Sequence, residues 1–208
     1  MYCILVAGIP ASGKSTLSRQ LADRMGLPVI SKDEIKEILF DRIGFRSRSE
    51  KVNLGAAAME MMYYSAEQMM KAGIPFILEN NFEYASMEGL ISLIARYRYR
   101  VLTITLTGEY QTIYRRFVER NISPDRHRGH VVNDCYPEQR PHTEAELLAS
   151  TISFEQFAEG IKARGFDEFS AGSERIVVDT TDFSKVDPDE LVVRMKQWIA
   201  ESSPVENE

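Results

Sequence analysis

Short apolar runs alternate along the chain with longer stretches in which apolar positions recur every three or four residues. That alternation predicts strands buried on both faces, joined by helices that cover a parallel sheet. The first run is Tyr2 to Ala7, followed by a glycine-bearing loop and a helix from about Lys14 to Met25 that Gly26 ends. Pro28 to Ser31 reads as a second strand, and Ser31 with Glu34 has capping-box spacing for a helix carrying Ile35, Ile38 and Leu39. Asn53 to Ala72 is free of proline and closed by Gly73 and Pro75, which predicts a long helix whose methionines (59, 61, 62, 69 and 70) pack in the core. Phe76 to Glu79 is a third strand. Met87, Leu90, Ile91 and Ile94 then mark a helix, Val101 to Leu106 a fourth strand, and Glu109 to Asn121 a further helix.

Past that helix the periodicity weakens into an Arg/His/Gly segment, Ser123 to His130, and an irregular loop from Val131 to Pro141. Thr143 and Glu146 form another capping box, opening helical sequence that runs to Gly165 with a break near Ser150 to Ser153. Arg175 to Asp179 supplies a fifth strand, and Asp187, Pro188 and Glu190 open a last helix to about Ala200. The expected fold is α/β: a five-stranded parallel sheet with helices on both faces, one domain over residues 1–200, and a flexible polar tail over 201–208.

The 208 residues are 44% hydrophobic, enough for one sizeable core and too few for two full domains. A formal charge of −6 provides no global positive field, which argues against a long nucleic-acid track or an anionic membrane as partner. No apolar run has the length to cross a bilayer, and Cys3 and Cys135 fit no disulfide framework or C-x-x-C spacing. The expectation is a soluble, cytoplasmic protein; its oligomeric state is not written in the sequence.

Candidate chemistry begins at Gly8-Ile-Pro-Ala-Ser-Gly13-Lys14-Ser15, which satisfies G-x-x-x-x-G-K-[ST] between a strand and a helix. Glycines let the backbone curl so that successive N–H groups face a nucleotide's phosphates, and the helix N-terminus behind them adds partial positive charge. Gly8, Ala11, Ser12, Gly13, Lys14, Ser15 and Thr16 are the candidate nucleotide-binding residues. Lys14 would reach the terminal phosphates, and the Ser15 hydroxyl would serve Mg²⁺. A glycine turn that binds nothing is the bland alternative, but such a match arises by chance roughly once in a hundred or more chains of this length. There is no N-K-x-D base-reading motif, and Asp41 to Gly44 matches D-x-x-G only at a helix end, so a GTPase is disfavoured.

Gly8 to Thr16, Ser31-Lys-Asp-Glu-Ile, Ile77-Leu-Glu-Asn-Asn-Phe82 and Arg126-His-Arg-Gly-His130 together resemble the small P-loop kinases of the AAA_33 group, zeta-toxin-like and polynucleotide-kinase-like. The resemblance covers about residues 1–130 and Ile176 to Thr181. It implies a three-layer P-loop NTPase fold with a mobile lid, here about residues 115–142, and transfer of the γ-phosphoryl of ATP to a hydroxyl of a second substrate. Asp33 matches the family's acid beyond the second strand, placed to take the acceptor's proton; acids also simply favour a helix's first turn. Glu79 stands where many P-loop proteins keep a metal-holding aspartate. Being one methylene longer, it is assigned with Asn81 to the acceptor, the alternatives being Mg²⁺ or a plain polar strand end.

Arg96 to Arg128 holds eight arginines against three acids, a local excess inside an acidic chain. Arg116 and Arg120 stand four apart on one helix face, a spacing similar to the lid entry of nucleoside monophosphate kinases. By that likeness Arg116 would lie over the adenine and Arg120 would reach the phosphates, with Arg126 following from the lid. Arg96, Arg98 and Arg100 read instead as a solvated face. His127, His130, Cys135 and His142 match no structural zinc spacing. The expected catalytic set is Lys14, Asp33, Arg120 and Arg126. The expected activity is transfer from Mg-ATP to a small-molecule hydroxyl. Competing readings are a polynucleotide 5′-hydroxyl kinase, a nucleotide-dependent switch without transfer chemistry, which would have no use for Asp33 or an arginine lid, and, by the family resemblance alone, a toxin-like kinase of a nucleotide sugar.

Overall fold

Five parallel strands form one sheet in the order β2-β3-β1-β4-β5: β1 (Tyr2–Gly8), β2 (Val29–Ser31), β3 (Phe76–Glu79), β4 (Arg100–Thr107) and β5 (Glu174–Asp179). The structure is a computed structural model that describes residues 1–172 and 174–201; seven positions of the expected polar tail, 202–208, lie outside the described residues, while Glu201 closes the last helix. The helices are α1 (Lys14–Met25), α2 (Lys32–Ile43), α3 (Arg48–Ala72), α4 (Met87–Tyr97), α5 (Tyr110–Ile122), α6 (Arg128–Val131), α7 (Glu144–Ser150), α8 (Phe154–Arg164) and α9 (Pro188–Glu201).

The two-residue period of a strand divides β1 between the faces. Ile4 and Val6 point into a core with Leu17 and Leu21 of α1 and Leu191 and Met195 of α9. Cys3, Leu5 and Ala7 point the other way, against Met62, Ala66 and Met70 of α3 and Leu90 of α4. The result is three layers, with β1 buried from Cys3 onward at the centre. From β1 the chain runs outward to β2, back to β3, then across to β4 on the opposite side of β1, so the order reverses at β1. In open parallel sheets that reversal leaves a crevice at the carboxyl ends of the strands.

Four departures from the sequence expectation have local causes. Helix α3 starts at Arg48, five residues before the apolar pattern, because Ser47 accepts from the Glu50 N–H at 3.2 Å and Glu50 reaches back to the Arg46 N–H at 2.6 Å. The segment Arg128–Val131 is helical, capped by the His127 ring, which accepts from the Gly129 N–H at 3.1 Å. Within the irregular stretch Tyr136 pairs with Phe45 through two backbone bonds of 2.8 Å. The Ser31–Glu34 capping box forms only in half: Ser31 accepts from the Glu34 N–H, while the Glu34 carboxylate pairs with Arg19 at 2.7 Å.

Phe40 of α2 holds this region together. Fully buried, it contacts the rings of Phe45, His127, His130 and Tyr136 at centroid distances of 5.3, 5.9, 5.6 and 6.3 Å. Phe40→Ala is expected to cost about 3–5 kcal/mol in urea-induced unfolding. A loss below about 1 kcal/mol would mean that the surroundings collapse to fill the space.

Candidate active site

The loop Gly8–Gly13 leaves the carboxyl end of β1 and turns into α1. Gly8 has φ +129°, and a Cβ there would meet the Leu106 carbonyl oxygen of β4 at 2.1 Å, so no other residue fits. Gly13 has φ +93° and lies under the Phe183 ring, 2.3 Å from where a Cβ would stand. α2, α3, α7 and α8 each begin with a Ser or Thr side chain bonded to a first-turn amide; α1 has no such cap and no acid in its first turn. Its orphan N–H groups and the positive end of its dipole therefore open toward a cavity of about 720 Å³.

Cations crowd that cavity. Lys14 is buried, its Nζ donating to the Ile9 carbonyl at 2.7 Å, and burial pulls its pKa down to about 8. Arg120 is pulled down to about 10, first by burial and then by the neighbouring charge of Arg126. The Nε groups of Arg120 and Arg126 are buried without a hydrogen-bond partner, as is the Ser12 hydroxyl. Buried donors in that state carry a desolvation cost that an anionic ligand would remove.

Two carboxylates face these cations from neighbouring elements. Asp33, in the first turn of α2, lies 3.7 Å from Arg126 Nη2; burial would raise its pKa, but His130, Arg126, Lys36 and Lys14 together bring it below the ordinary value. Glu79, at the end of β3, is buried and accepts from the Ser31 hydroxyl at 2.6 Å. Burial raises its pKa, opposed by Lys14, Ser31 and Ser15. Ser15, Ser31 and Glu79 thus form a set of hard oxygen donors beside Lys14, which suits a Mg²⁺ ion that keeps most of its waters. Asn81 lines the same cavity. Asn80, adjacent in sequence, is buried against Met59 Sδ at 3.9 Å.

The segment 123–142 closes over α2. Arg126 lies 3.9 Å from Glu37, His130 Nε2 donates to Glu37 at 2.9 Å, and His127 Nε2 donates to Asp41 at 3.1 Å. Burial lowers the His130 pKa, so the neutral ring must carry its proton on Nε2 to reach an ionised acceptor. Lys51 of α3 fastens the segment from beneath, donating to the carbonyls of His130 and Val132 at 2.8 and 2.6 Å.

Lys14, Ser15, Asp33, Glu79, Asn81, Arg116, Arg120 and Arg126 all line one cavity. Arg116 stands at its rim, where Thr180 and Thr181 carbonyls each accept from it at 2.5 Å. Arg128, one of the arginines in the basic stretch, turns away to a two-pronged pair with Glu138 at 2.9 and 3.0 Å. Arg100 corrects the expectation of a solvated face: it stacks on Trp198 at 4.1 Å and donates to the Trp198 carbonyl at 2.7 Å, satisfying the end of α9. Ser31, Glu37 and His130 were not among the expected site residues. Only the four-residue spacing of Asp33, Glu37 and Asp41 hinted that one acidic face of α2 had a partner.

Comparison with protein families matches residues 3–134 to AAA_33, described as an AAA domain. No curated protein matches significantly. Among solved structures, a protein from Chloroflexus aurantiacus J-10-fl, a kinase by assignment only, superposes with a TM-score of 0.76 at 27% identity, covering 94% of this chain and 97% of that one. A sugar kinase from Janibacter sp. HTCC2649 gives 0.54 at 14% identity, covering 100% and 99%. A gluconokinase from Sinorhizobium meliloti 1021 gives 0.52 at 14%, covering 97% and 98%. These last two likenesses establish the fold.

Proposed function

The chain belongs to the AAA_33 family, and from that premise we propose that it transfers the γ-phosphoryl group of Mg-ATP to a hydroxyl of a small-molecule acceptor. The observation that carries the reading is the cavity at the uncapped N-terminus of α1. Three cations converge there, two with buried, unpartnered Nε donors, and a carboxylate stands across from them. A triphosphate supplies the missing acceptors and an attacking hydroxyl supplies a use for the carboxylate. The kinase names of the solved neighbours support the same class. Among the described residues no helix is long and apolar enough to cross a membrane.

In this scheme the first-turn amides of α1 and Lys14 hold the β- and γ-phosphates, and Arg116 at the rim borders the base. Ser15 and Glu79 would hold Mg²⁺, with Ser31 orienting the carboxylate. Placed between Lys14 and Ser31, Glu79 is better suited to the metal than to the acceptor, which leaves Asn81 on the acceptor side. When bound, the ion neutralises charge on the transferring group. Asp33 accepts the acceptor's proton as the acceptor oxygen bonds to phosphorus; the bond from phosphorus to the bridging oxygen breaks, and ADP leaves with that electron pair. Arg120 and Arg126 stabilise the equatorial oxygens, and the closed segment keeps water from taking the acceptor's place.

An ADP-release screen over sugars, nucleosides, small acids and 5′-hydroxyl oligonucleotides tests the scheme: one acceptor class should stimulate release, and no stimulation by any would refute it. Asp33→Asn is expected to lower transfer by roughly 10²–10⁴-fold while leaving the nucleotide Kd within about twofold; undiminished turnover would remove Asp33 from the chemistry. Arg126→Ala should lower kcat by about 10²-fold with a smaller effect on nucleotide affinity, read by steady-state kinetics.

Lys14 also sets a pH dependence. Its free-state pKa of about 8 must rise when phosphates surround the ammonium, so binding takes up a proton. Nucleotide affinity should be full below about pH 8 and decline as pH rises through that value. Calorimetry at pH 8.5 in buffers of different ionisation enthalpy measures the uptake directly; zero uptake would contradict the assignment.

A further inference from the structure

Beside the cavity at Lys14 lies a second one of about 450 Å³, between the first turn of α3, α2, α6 and the turn from α7 to α8. Lys36, Phe117, Asn121 and His130 line both, so the two are adjoining chambers. Their charge differs. Carboxylates enter the wall of the first; the second is lined by Lys36, Arg48, Lys51 and Arg164 and by no carboxylate.

Lys51 is buried and Lys36 half-buried, while Arg48 and Arg164 reach the chamber from exposed positions. Lys51 spends its ammonium on the carbonyls of His130 and Val132 and on Asn133 Oδ1, at 2.8, 2.6 and 3.2 Å. Arg48 donates to that same Asn133 oxygen at 2.9 Å. Lys36 sits 5.3 Å from the centroid of the Phe40 ring, and Arg164 has a long pair with Glu83 at 3.8 Å. Among the described residues no carboxylate lies within ion-pair distance of Lys36, Arg48 or Lys51; Asp33 acts on Lys36, and Asp134 on Lys51, only from farther away. Arg48 and Lys51 occupy the first turn of α3, where the helix dipole disfavours cations. Burial, then the charges of Lys36, Arg48 and Arg126, bring the Lys51 pKa down to about 7. Lys51 and Lys36 thus lie in the field of like charges inside a chain of net charge −6, and a ligand anion in the chamber would relieve it.

We infer that the phosphoryl acceptor is itself an anion, a small alcohol bearing a phosphate or carboxylate group that sits among Lys36, Arg48 and Arg164 while its hydroxyl faces Asp33. The inference rests on the phosphotransfer reading above and names its substrate class. Lys36 follows Asp33 by three residues on α2, so hydroxyl and anion lie about one helical turn, about 5 Å, apart along that helix. Guanidinium forks match the oxygens of phosphate and carboxylate alike, while Val52, Phe117 and Ile152 offer apolar wall to the carbon skeleton. The volume lies within the small-molecule range.

The test titrates inorganic phosphate, and separately acetate, into protein saturated with a non-hydrolysable Mg-ATP analogue, which keeps both anions out of the first chamber. At least one anion should bind, the tighter identifying the group, and Arg48→Ala or Arg164→Ala should each weaken it roughly tenfold or more, with Arg48→Lys recovering part. In the ADP-release assay, alcohols carrying that group should exceed their neutral counterparts in kcat/KM by at least about tenfold, and Arg48→Ala should raise the acceptor KM more than it lowers kcat. Failure of both anions to bind, binding that neither substitution weakens, or equal use of neutral alcohols would overturn the anionic acceptor while leaving phosphotransfer standing. Failure of the analogue to bind would overturn the phosphotransfer reading itself, and the acceptor assignment with it.

Discussion

Buried cations whose donors outnumber their acceptors are the constraint around which the site is built. Lys14, Arg120 and Arg126 meet at the positive end of α1, and no residue caps that end. Left to relax, such side chains would swing into water; here Ile9 holds the Lys14 ammonium, and packing of Arg120 along Phe117 limits its guanidinium. The strain is tolerable because the parts beneath cannot move. β1 is buried on both faces, Gly8 is pressed against β4, and Gly13 lies under Phe183. Rigidity in the sheet lets the loop keep donors pointing at an empty volume, which is the arrangement that electrostatic preorganisation requires.

The carboxylates are placed by the same framework through different devices. Ser31 ends β2 and caps α2, and its hydroxyl also donates to Glu79 on the adjacent strand. One residue thereby fixes where α2 begins, hence where Asp33 points, and how the buried acid of β3 is oriented. Ser31 pairs with Glu79 across the β2–β3 ladder, so parallel register brings the two together without any loop being involved.

Much of this was legible in the sequence. The strands could be read because β1, β3 and β4 are buried on both faces, so that β1 and β3 appear as apolar runs and β4 as one broken only by the small buried Thr103 and Thr105. Gly8 and Gly13 could be read because only glycine tolerates their conformations. Three kinds of fact were hidden. Arg100 looked like a surface charge because its partners are main-chain oxygens and a ring nearly a hundred residues away. The start of α3 was obscured because its first turn is polar and lines a cavity instead of a core. The basic second chamber could not be assembled, since Lys36, Arg48 and Arg164 come from three helices whose packing no local pattern specifies.

The acids of α2 explain how the basic segment 123–142, the proposed lid, can rest on the protein and still be available to a substrate. Asp33, Glu37 and Asp41 follow at intervals of four, so they line one face of the helix, and each meets a lid residue: Arg126, His130 and His127. The contacts are graded. Those of the two histidines are ordinary hydrogen bonds of 2.9 and 3.1 Å, set in the aromatic cluster around Phe40, and they fix the lid at its base. The contacts of Arg126, at 3.7 and 3.9 Å, are too long for charge-assisted hydrogen bonds, and its Nε has no partner. Phosphate oxygens could therefore take this guanidinium from Asp33 without unseating the lid. In the proposed scheme the same exchange would free the Asp33 carboxylate for an acceptor's proton when a phosphoryl donor is in place, so a single arginine would couple nucleotide binding to readiness of the proposed base.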